Sequence, residues 1–372
     1  MKNILYLITS QQKDGPVNVL LSIVNNIDRT KYNPIIACMY YKNDAKENIN
    51  DFTKKDINVI NLNMNSMLRG WLDLRAIIKI RKIINKYNID IIHMHLVRPI
   101  IFGTIASGKR CKRIATIHNQ EPHQTPHGKF EYIVNRLEKY ALRKCNYITT
   151  VSHAVKKSII NCYKLNDNKI NVIYNCIDEK KYSCDVINLR QKFNLNTDDI
   201  IVATIARLEK QKGINYLVDA IKILKTNNVN NFKLLIIGEG SLEENLKIQV
   251  KNNNLDDIVI FTGYLSNINS ILNQIDIVVM SSMFEGLGLS LIEAMAHKIA
   301  CIGTNVGGIP EVIGNEGIIV EKANPVSLAN AIEKLIEDDG KRKHMGERLY
   351  GRYNKMFTCT KMINEYENLY DR

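Results

Sequence analysis

The sequence predicts an α/β protein with two domains, each built on a parallel sheet that is covered by helices. Apolar strand-like runs alternate with helix-like stretches along nearly all of the 372 residues. The strand-like runs are almost continuously apolar, which is typical of parallel strands buried on both faces. The alternation pauses once, over the polar stretch 178–199, and then restarts. We therefore expect two Rossmann-like domains that face each other across a cleft.

The first half of the chain contains seven predicted strands, followed or separated by helical patterns. The strands are Ile4–Ile8, Ile35–Tyr40, Asn58–Leu62, Ile89–Met94, Arg113–Ile117, Tyr147–Val151 and Asn171–Ile173. The helices are expected at Val17–Ile27, Trp71–Tyr87, Pro99–Ser107, Lys129–Lys144 and His153–Cys162. The starting segment MKNILYLITSQQ has only a short apolar run and no small-residue cleavage site, so it is interpreted as a buried strand. No segment approaches the roughly 20 apolar residues that span a bilayer.

The second half repeats the pattern with six predicted strands and ends in a helical region. The strands are Ile200–Ile205, Lys233–Ile237, Val259–Phe261, Ile275–Met280, Ala300–Ile302 and Ile318–Val320, and Lys341–Arg372 is helical in pattern. We expect one domain over residues 1–180 with a returning C-terminal helix at about 355–372, and a second domain over 186–354.

The net charge of +13 is concentrated in the first half of the chain. Residues 1–185 contain 30 Lys and Arg against 15 Asp and Glu, whereas the remaining residues contain 21 against 23. Such asymmetry indicates an anionic partner for the first half, either a nucleic acid or a membrane surface. The alternative is a solvated, lysine-rich surface without a partner.

The eight cysteines are scattered and include no CxxC pair. This usage favours free, mostly buried thiols in a reducing cytosol over a metal site or a disulfide framework.

Two carboxylates flank the end of one strand and the start of the following helix. Glu285 lies in a glycine-containing loop after the strand Ile275–Met280, and Glu293 lies inside the helix that opens near Leu289. Helix N-termini bind phosphates, and open α/β sheets bind ligands at the carboxyl ends of their strands. The run therefore indicates recognition of a phosphate-bearing sugar.

The first turn of the second domain adds two cations. Arg207 and Lys212 flank the loop after Ile200–Ile205, and Gly213 begins the next helix. A guanidinium fork and an ammonium beside a helix N-terminus suit a diphosphate without a metal ion. Gly238, in Gly238-Glu239-Gly240, would let the backbone pass close to a nucleotide.

Two positions of the first domain are candidates for ligand contact. Gly15 lies in the first βα turn, where a ligand or only a plain turn is expected. His118 ends a strand at the edge where ligands bind, so it suits a hydrogen bond to a substrate hydroxyl or proton transfer. His93 and His95 share one face of a strand, and we expect core or edge histidines rather than a metal site.

These motifs together resemble the retaining glycosyltransferases of family 4, which have the GT-B fold. The resemblance covers essentially the whole chain and is strongest over residues 200–315. It rests on Arg207 and Lys212, on Gly238-Glu239-Gly240, on Glu285-Gly286-Leu287-Gly288 with Glu293, and on Asn305-Val306-Gly307-Gly308-Ile309-Pro310-Glu311. Tyr174-Asn175-Cys176-Ile177-Asp178 resembles the interdomain segment of the family, in which proline and glycine are more frequent.

The resemblance implies a role for each candidate. Arg207 and Lys212 would bind the donor diphosphate and stabilise the departing nucleoside diphosphate. Glu285 and the backbone from Gly286 through Leu287 and Gly288 to Leu289 would contact the donor sugar and phosphate. Glu293 would accept hydrogen bonds from the ribose, His118 would lie near the hydroxyls of the donor sugar, and Gly15 would line the cleft.

The sequence departs from the family pattern at three points. Ala206 stands where glycine is common, Leu287 stands where an aromatic residue is frequent, and Gly15 is followed by Pro16 rather than by a second glycine. These departures are compatible with the donor site, and they leave the details of acceptor binding unspecified.

The implied activity is transfer of a hexose from a nucleotide sugar, with a UDP-sugar as the expected co-substrate and no cofactor. The acceptor would be a lipid-linked or saccharide precursor of a cell-surface polysaccharide, and the donor phosphate would take the acceptor proton in a same-face attack. The chain has no DxD motif, so a metal-independent reaction is expected. A cytoplasmic enzyme held on the inner face of the membrane by Lys109–Arg113 and Lys129–Lys144 would account for the basic first half.

Other functions fit parts of the sequence. A nucleotide-sugar epimerase would have the same architecture, and a non-catalytic adaptor would use the fold for binding alone. A nucleic-acid binder is suggested only by charge, without interleaved aromatic residues. An NAD-dependent oxidoreductase is disfavoured because GxGxxG is missing.

Overall fold

Two separate parallel sheets organise the protein. A computed structural model describes residues 1–10, 15–40, 57–64, 74–119, 129–177, 187–265 and 268–372. The chain divides into unit 1, made of Met1–Cys176 and Cys359–Arg372, and unit 2, made of Ile177–Thr358. Each unit contains one sheet and its own hydrophobic core.

The sheet of unit 1 has seven strands in the order β3-β2-β1-β4-β5-β6-β7. Its strands are β1 Lys2–Ile8, β2 Tyr32–Cys38, β3 Asn58–Asn61, β4 Ile91–His95, β5 Lys112–Ile117, β6 Tyr147–Thr150 and β7 Ile170–Val172. The helices of this unit are Gly15–Asn26, Arg75–Lys86, Val97–Ser107, Lys129–Lys144, His153–Tyr163 and Cys359–Asp371. Strand order reverses between β1 and β4, which creates a crevice at their carboxyl ends.

The sheet of unit 2 has six strands in the order β10-β9-β8-β11-β12-β13. Its strands are β8 Ile200–Ile205, β9 Phe232–Ile237, β10 Val259–Gly263, β11 Ile277–Met280, β12 Ala300–Thr304 and β13 Ile318–Val320. The helices of this unit are Leu189–Lys192, Ile214–Thr226, Glu243–Asn252, Asn269–Leu272, Leu289–Ala296, Ile309–Ile313, Pro325–Ile336 and Asp339–Met356. Strand order reverses here between β8 and β11.

The predicted α/β class with two parallel sheets is confirmed. Each predicted strand has an observed counterpart whose ends differ by at most three residues, and every strand pair is parallel. The signal is strong because the strands are buried on both faces: Leu5, Tyr6 and Leu7 have no exposed side-chain surface, and all of Ile277–Met280 is buried. The predicted start of a helix at Trp71, the turn Gln11–Asp14 and much of the polar stretch after Ile177 lie outside the described residues.

The C-terminal helix Cys359–Asp371 packs on the sheet of unit 1. Tyr370, near the end of this helix, is buried, and its hydroxyl lies 2.7 Å from His93 Nδ1 and 3.1 Å from the Tyr6 hydroxyl. At the surface, the Glu367 carboxylate accepts the Asp28 N–H at 2.8 Å and Lys2 pairs with Asp371 at 2.8 Å. This helix therefore completes the core of a unit whose strands come from the other end of the chain.

The expectation that the cysteines are free thiols is wrong for two of them. Cys176 and Cys359 form a disulfide across 183 residues of sequence, with their Cα atoms 5.0 Å apart. It joins the last residue of the main segment of unit 1 to the first residue of the returning helix. Among the described cysteines, Cys111, Cys145, Cys162 and Cys301 are free thiols. Cys184 lies outside the described residues.

Across the described ranges, no helix combines the length and the apolar character that crossing a membrane requires.

Candidate active site

The loops after β8 and β11 meet at the point where the strand order of unit 2 reverses. β8 and β11 are neighbours, while β9 and β10 continue on one side and β12 and β13 on the other. The connecting helices therefore leave the two strands on opposite faces of the sheet, and a crevice opens between their carboxyl ends. Arg207 and Lys212 lie on the first loop, and Glu285 lies on the second.

Lys212 and Glu285 form an ion pair across these two loops. Lys212 Nζ lies 2.5 Å from Glu285 Oε2, and only 16% and 12% of the two side chains are exposed. The Ser282 hydroxyl also lies 3.5 Å from the same carboxylate oxygen. Coulomb attraction is stronger at such a half-buried position than at an open surface, so the two charged groups hold each other in place. A cation and a hydrogen-bond acceptor are thus presented side by side.

Three further hydrogen bonds fix the relative position of the two loops. Met283 N–H donates to the Gln211 carbonyl at 2.8 Å, and the Gln211 side-chain amide donates to the Phe284 carbonyl at 3.1 Å. The Ser281 hydroxyl donates to the Lys212 carbonyl at 3.0 Å. The ion pair therefore rests on a backbone frame that does not depend on the charges.

Gly213 allows the two loops to approach this closely. Its φ is +58°, and a Cβ at this position would lie 2.4 Å from the Ser281 carbonyl oxygen. Side chains cannot approach a backbone atom to that distance, so only glycine fits. Glycine is therefore required at this position by its contact with the β11 loop, in addition to its place as the N-cap of the helix Ile214–Thr226.

The helix Leu289–Ala296 opens directly after the Glu285 loop. Gly288 is its N-cap residue, with φ +102°, and makes no side-chain hydrogen bond to the first turn. The backbone N–H groups at a helix start carry partial positive charge and favour anions. Leu287 is buried, so its side chain belongs to the core of unit 2 and only its backbone is placed to meet a ligand. Glu293 follows one turn after Leu289 and is half-buried.

A third loop, after β12, supports the backbone of Glu285. The Glu285 carbonyl accepts the Gly308 N–H at 3.3 Å, and a Cβ on Gly307 would lie 1.7 Å from that carbonyl oxygen. Gly307 has φ +54°, which glycine adopts without strain. Gly307-Gly308 entered the sequence analysis only as part of the family motif, although two adjacent glycines after a strand indicate such a close approach of two backbones.

Arg207 lies on the outer part of the β8 loop and is exposed. Its neighbour Leu208 is fully buried and anchors the loop, because its N–H donates to the Glu239 carbonyl and its carbonyl accepts the Leu242 N–H, both at 2.9 Å. Hydrogen bonds from Ser241 lower the pKa of Glu209, and the charge of Arg207 lowers it further. The guanidinium thus projects from a loop whose backbone is fixed.

Gly238 is required by the packing of the β8 and β9 loops. It has φ +134°, and a Cβ there would lie 2.0 Å from the Ala206 carbonyl oxygen. A Cβ on Gly240 would lie 2.5 Å from the Leu208 carbonyl oxygen. The two glycines bring the β9 loop against the β8 loop, next to Arg207.

In unit 1, His93 and His95 lie on β4, and His118 directly follows β5. His118 follows β5, is 9% exposed, and its Nε2 lies 3.0 Å from His95 Nδ1. His93 is bonded at both ring nitrogens, to the Tyr370 hydroxyl and to the Thr116 hydroxyl, each at 2.7 Å. Of the two structural positions that the sequence left open for His93 and His95, core or edge, the structure shows the core, since both side chains are fully buried. Among the described residues, no group of side chains is arranged to hold a metal ion.

Burial keeps these rings neutral. Desolvation lowers the pKa of His93 to about 3 and that of His118 to about 4, and it lowers the pKa of His95 well below its usual value. A neutral imidazole has one donor and one acceptor nitrogen. Of the His95–His118 pair, one ring therefore donates and the other accepts. Gly15 begins the helix after β1, the strand next to β4, and the loop before it lies outside the described residues.

Comparison with known proteins identifies the family. The model of "Glycosyltransferase Family 4" matches residues 13–181, and that of "Glycosyl transferases group 1" matches residues 185–352. The N-acetyl-alpha-D-glucosaminyl L-malate synthase of Bacillus anthracis is 30% identical over 305 residues, which cover 80% of this chain and 78% of that protein. The chain belongs to these glycosyltransferases.

Two further similarities bear on this glycosyltransferase. The UDP-Gal:alpha-D-GlcNAc-diphosphoundecaprenol alpha-1,3-galactosyltransferase of Escherichia coli is 26% identical, and the match covers 80% of this chain and 79% of that protein. The structure of Anabaena HepE in complex with UDP-glucose superposes with a TM-score of 0.85 at 19% identity, with both chains covered completely. The structural match shows that the two parallel-sheet units have the GT-B fold, as the sequence predicts.

The structure brings some of the predicted site residues of this glycosyltransferase into direct contact. Lys212 and Glu285 are paired, and Gly286 N–H lies 3.3 Å from Glu285 Oε1. Arg207 lies on the same loop as Lys212, and Glu293 lies on the helix that follows the Glu285 loop. Sequence reasoning missed Ser282, whose carbonyl accepts the Thr304 hydroxyl at 2.7 Å. The signal that could have found Ser282 was its position two residues after the fully buried strand β11.

Proposed function

We propose that this glycosyltransferase moves a hexose from a UDP-sugar to a lipid-linked or saccharide precursor of a cell-surface polysaccharide. We further propose that the transfer retains the anomeric configuration and needs no metal ion. The observation that carries the proposal is the Lys212–Glu285 pair at the crevice between β8 and β11. The relatives support it, since one acts on a diphosphoundecaprenol-linked sugar by its name and one structural neighbour was solved with UDP-glucose.

Lys212 changes its partner when the donor binds. Without donor its ammonium is neutralised by Glu285 at 2.5 Å. The donor diphosphate is a stronger anionic partner, so it takes over Lys212 together with the exposed guanidinium of Arg207. The Glu285 carboxylate is then available to accept hydrogen bonds from hydroxyls of the donor sugar.

The same groups stabilise the transition state. The bond between the anomeric carbon and the donor phosphate oxygen breaks, and negative charge develops on the leaving diphosphate. Lys212, Arg207 and the N–H groups from Gly286 to Leu289 are fixed in advance, so they stabilise that charge without rearranging. The acceptor oxygen attacks on the face that the phosphate leaves, and its proton passes to the donor phosphate oxygen.

The remaining candidates complete the assignment. Glu293, on the second turn of its helix, accepts hydrogen bonds from the ribose hydroxyls. In unit 1, neutral His118 makes a hydrogen bond to a hydroxyl of the donor sugar, and Gly15 leaves room for a ligand beside β1. We assign the acceptor to unit 1 and the nucleotide sugar to unit 2.

The test compares Lys212→Gln with Lys210→Gln. Lys210 is exposed on the same short helical turn, so it is a matched control for charge and position. Loss of a charge-assisted contact of about 1.5–3 kcal/mol should weaken UDP binding about 10- to 150-fold in Lys212→Gln and leave Lys210→Gln like the wild type. Calorimetric titration with UDP measures both. Equal affinities in the two variants would refute the diphosphate assignment.

Activity is measured separately with UDP-glucose, UDP-galactose and UDP-N-acetylglucosamine, each with diphosphoundecaprenol-linked N-acetylglucosamine as the probe acceptor. We expect transfer with one donor, an unchanged anomeric configuration by NMR, and full activity after treatment with EDTA. An inverted product would refute retention, and loss of activity with EDTA that Mg²⁺ restores would refute metal independence. An isomerised sugar in the absence of acceptor would indicate an epimerase.

A further inference from the structure

Two histidine rings of unit 1 contact each other at the carboxyl ends of neighbouring strands. His95 is the last residue of β4, and His118 directly follows β5. His95 Nδ1 lies 3.0 Å from His118 Nε2, and the centres of the two rings are 5.3 Å apart. His95 is fully buried, whereas 9% of the His118 surface is exposed. His118 is therefore the member of the pair that a ligand can reach, and His95 supports it from the core.

The contact requires the two rings to have opposite roles. Burial lowers the pKa of His118 to about 4 and that of His95 well below its usual value, so both rings are neutral at neutral pH. A neutral imidazole has one N–H group and one bare nitrogen. The single hydrogen between the rings belongs either to His95 Nδ1 or to His118 Nε2. Each arrangement fixes the tautomer of both rings.

The second ring nitrogen of His95 distinguishes the two arrangements. Among the residues that the structure describes, His95 Nε2 is buried and has no hydrogen-bond partner. If His118 donated the hydrogen, His95 would carry its own hydrogen on Nε2, as a buried donor without an acceptor. If His95 donates from Nδ1, its Nε2 is only an unpaired acceptor, which is less rare in proteins than an unpaired N–H. The packing therefore favours His95 as the donor.

The neighbouring histidine, His93, is not constrained in this way. It lies on the same face of β4 and is also fully buried. Its two ring nitrogens each lie 2.7 Å from a hydroxyl, those of Tyr370 and Thr116. A hydroxyl can donate or accept, so these partners satisfy either tautomer of His93. A fixed tautomer is therefore a property of the His95–His118 pair and not a general result of burial in this sheet.

The backbone directly after His95 has an unusual conformation. Leu96 has φ +74° and ψ +160°, close to a region that residues other than glycine rarely adopt. The residue is also the N-cap of the helix Val97–Ser107, and its carbonyl accepts the Ile100 N–H at 3.1 Å. Such strain persists only where the surrounding structure enforces it, and it is concentrated at functional sites. The end of β4 that carries His95 is thus held in one conformation.

We propose that His95 is a positioning residue that holds His118 in the tautomer with its hydrogen on Nδ1. His118 Nε2 then accepts the hydrogen bond from His95, and the Nδ1–H group is left for a ligand. A histidine side chain in water prefers the other tautomer, so His95 has to impose this one. The inference rests on the proposed function, in which His118 contacts the donor sugar. It makes His118 a hydrogen-bond donor to a sugar oxygen and not a proton acceptor in the reaction.

The direct test is NMR of the full chain labelled with ¹⁵N in histidine. The chemical shifts of the ring nitrogens distinguish a protonated nitrogen from a bare one, and the signals that disappear in His118→Ala identify His118. We expect a bare Nε2 and a protonated Nδ1 for His118 at neutral pH. In His95→Leu the donor is gone, so His118 should change towards the Nε2–H tautomer. A wild-type His118 with its hydrogen on Nε2 would overturn the proposal.

A double-mutant cycle tests whether His95 acts through His118. Activity is measured with the UDP-hexose that supports transfer. His95→Leu should lower kcat/KM about tenfold, the effect of one hydrogen bond. His95→Asn has an amide N–H near the position of Nδ1, so it should recover most of that loss. In a His118→Ala background, His95→Leu should cause no further loss, because the two residues act as one unit. Additive losses, or equal losses in His95→Leu and His95→Asn, would overturn the proposal.

His93→Asn is the matched control, since His93 has the same strand, face and burial as His95. It should lower the free energy of unfolding but leave the His118 tautomer and kcat/KM like those of the wild type. Circular dichroism confirms that each variant is folded. UDP lacks the sugar, so its affinity by calorimetry should be unchanged in His95→Leu. A wild type that fails to bind UDP would refute the donor assignment, whereas the tautomer of His118 decides the role of His95, so the two failures are distinguishable.

Discussion

At the scale of single residues, the ion pair of Lys212 and Glu285 has two roles that a substitution separates. Glu285 neutralises Lys212 when no donor is bound, and in the proposed reaction it binds the donor sugar. Removing the carboxylate therefore removes a competitor for Lys212 as well as a sugar contact. The effects on nucleotide binding and on turnover should differ in sign.

Glu285→Gln tests this separation. Turnover should fall by about 10²–10³, the range found when one preorganised group is removed from a charge-stabilising site. Affinity for UDP, measured by calorimetry, should stay the same or rise, because Lys212 no longer has an internal anionic partner.

Glu209→Gln is the control, since Glu209 is a carboxylate on the same β8 loop that is bonded to Ser241. Its turnover should be close to that of the wild type. If UDP affinity in Glu285→Gln fell in parallel with turnover, Glu285 would act by holding the loop rather than by contacting the sugar.

At the scale of elements, the site depends on three loops whose backbones are in van der Waals contact. Gly213 brings the β8 loop to the β11 loop, and Gly307 brings the β12 loop to the backbone of Glu285. A methyl group at either position would overlap with a carbonyl oxygen, and the loops would have to separate.

Gly307→Ala should therefore destabilise the protein and weaken UDP binding together. We expect a loss of about 2–4 kcal/mol in the free energy of unfolding, from the strained left-handed backbone and the overlap with the Glu285 carbonyl. Gly351→Ala is the matched control, because a Cβ there meets no atom within 4 Å and the residue lies inside the helix Asp339–Met356.

The control should raise the free energy of unfolding by about 0.5–1 kcal/mol through higher helix propensity. Urea unfolding and UDP titration measure both variants. Normal stability and normal UDP affinity in Gly307→Ala would show that the β12 loop does not support the site.

At the scale of the whole molecule, a feature was predictable from the sequence when it depends on residues that lie close together along the chain. All the strands were predictable because burial on both faces makes each one a local apolar run, such as Ile277–Met280. The positions of Lys212 and Glu285 at strand ends were predictable for the same reason. Their direct pairing joins loops 73 residues apart, and no local pattern encodes it.

The Cys176–Cys359 disulfide was missed for a related reason. The two cysteines are 183 residues apart, and only the return of the C-terminal helix to unit 1 brings them together. The role of Tyr370 as a partner of His93 depends on the same return. Contacts between distant segments that share no spacing are set by the tertiary fold, so they had to be observed.

The dependence of stability on pH is a property of the whole molecule. It is determined by buried groups whose pKa values are shifted in opposite directions. Burial lowers the pKa of His93 to about 3 and that of His118 to about 4, whereas their unfolded values are near 6.5. Between those values the unfolded chain binds more protons, so these histidines contribute stability above pH 6.5 that is lost as the pH falls. Burial raises the pKa of Glu138 to about 7, so its contribution is complete below pH 4.5 and is lost as the pH rises.

Burial also raises the pKa of the Glu365 carboxyl and lowers those of His95 and His297. Because the histidines with a lowered pKa outnumber the carboxyl groups with a raised pKa, the free energy of unfolding should fall between pH 6.5 and pH 5. Each group changes the free energy of unfolding by at most about 1.4 kcal/mol per pH unit. Urea unfolding at pH 8.0, 6.5, 5.75 and 5.0 measures the slope. His93→Asn should flatten this slope, Glu138→Gln should steepen it, and His344→Gln, at an exposed position, should leave it unchanged.

Because His93→Asn and Glu138→Gln shift the slope in opposite directions, a common loss of stability from substitution cannot imitate the result. Parallel curves for all the variants would show that the buried histidines and Glu138 titrate alike in the folded and unfolded chains, which would contradict the burial of their charges.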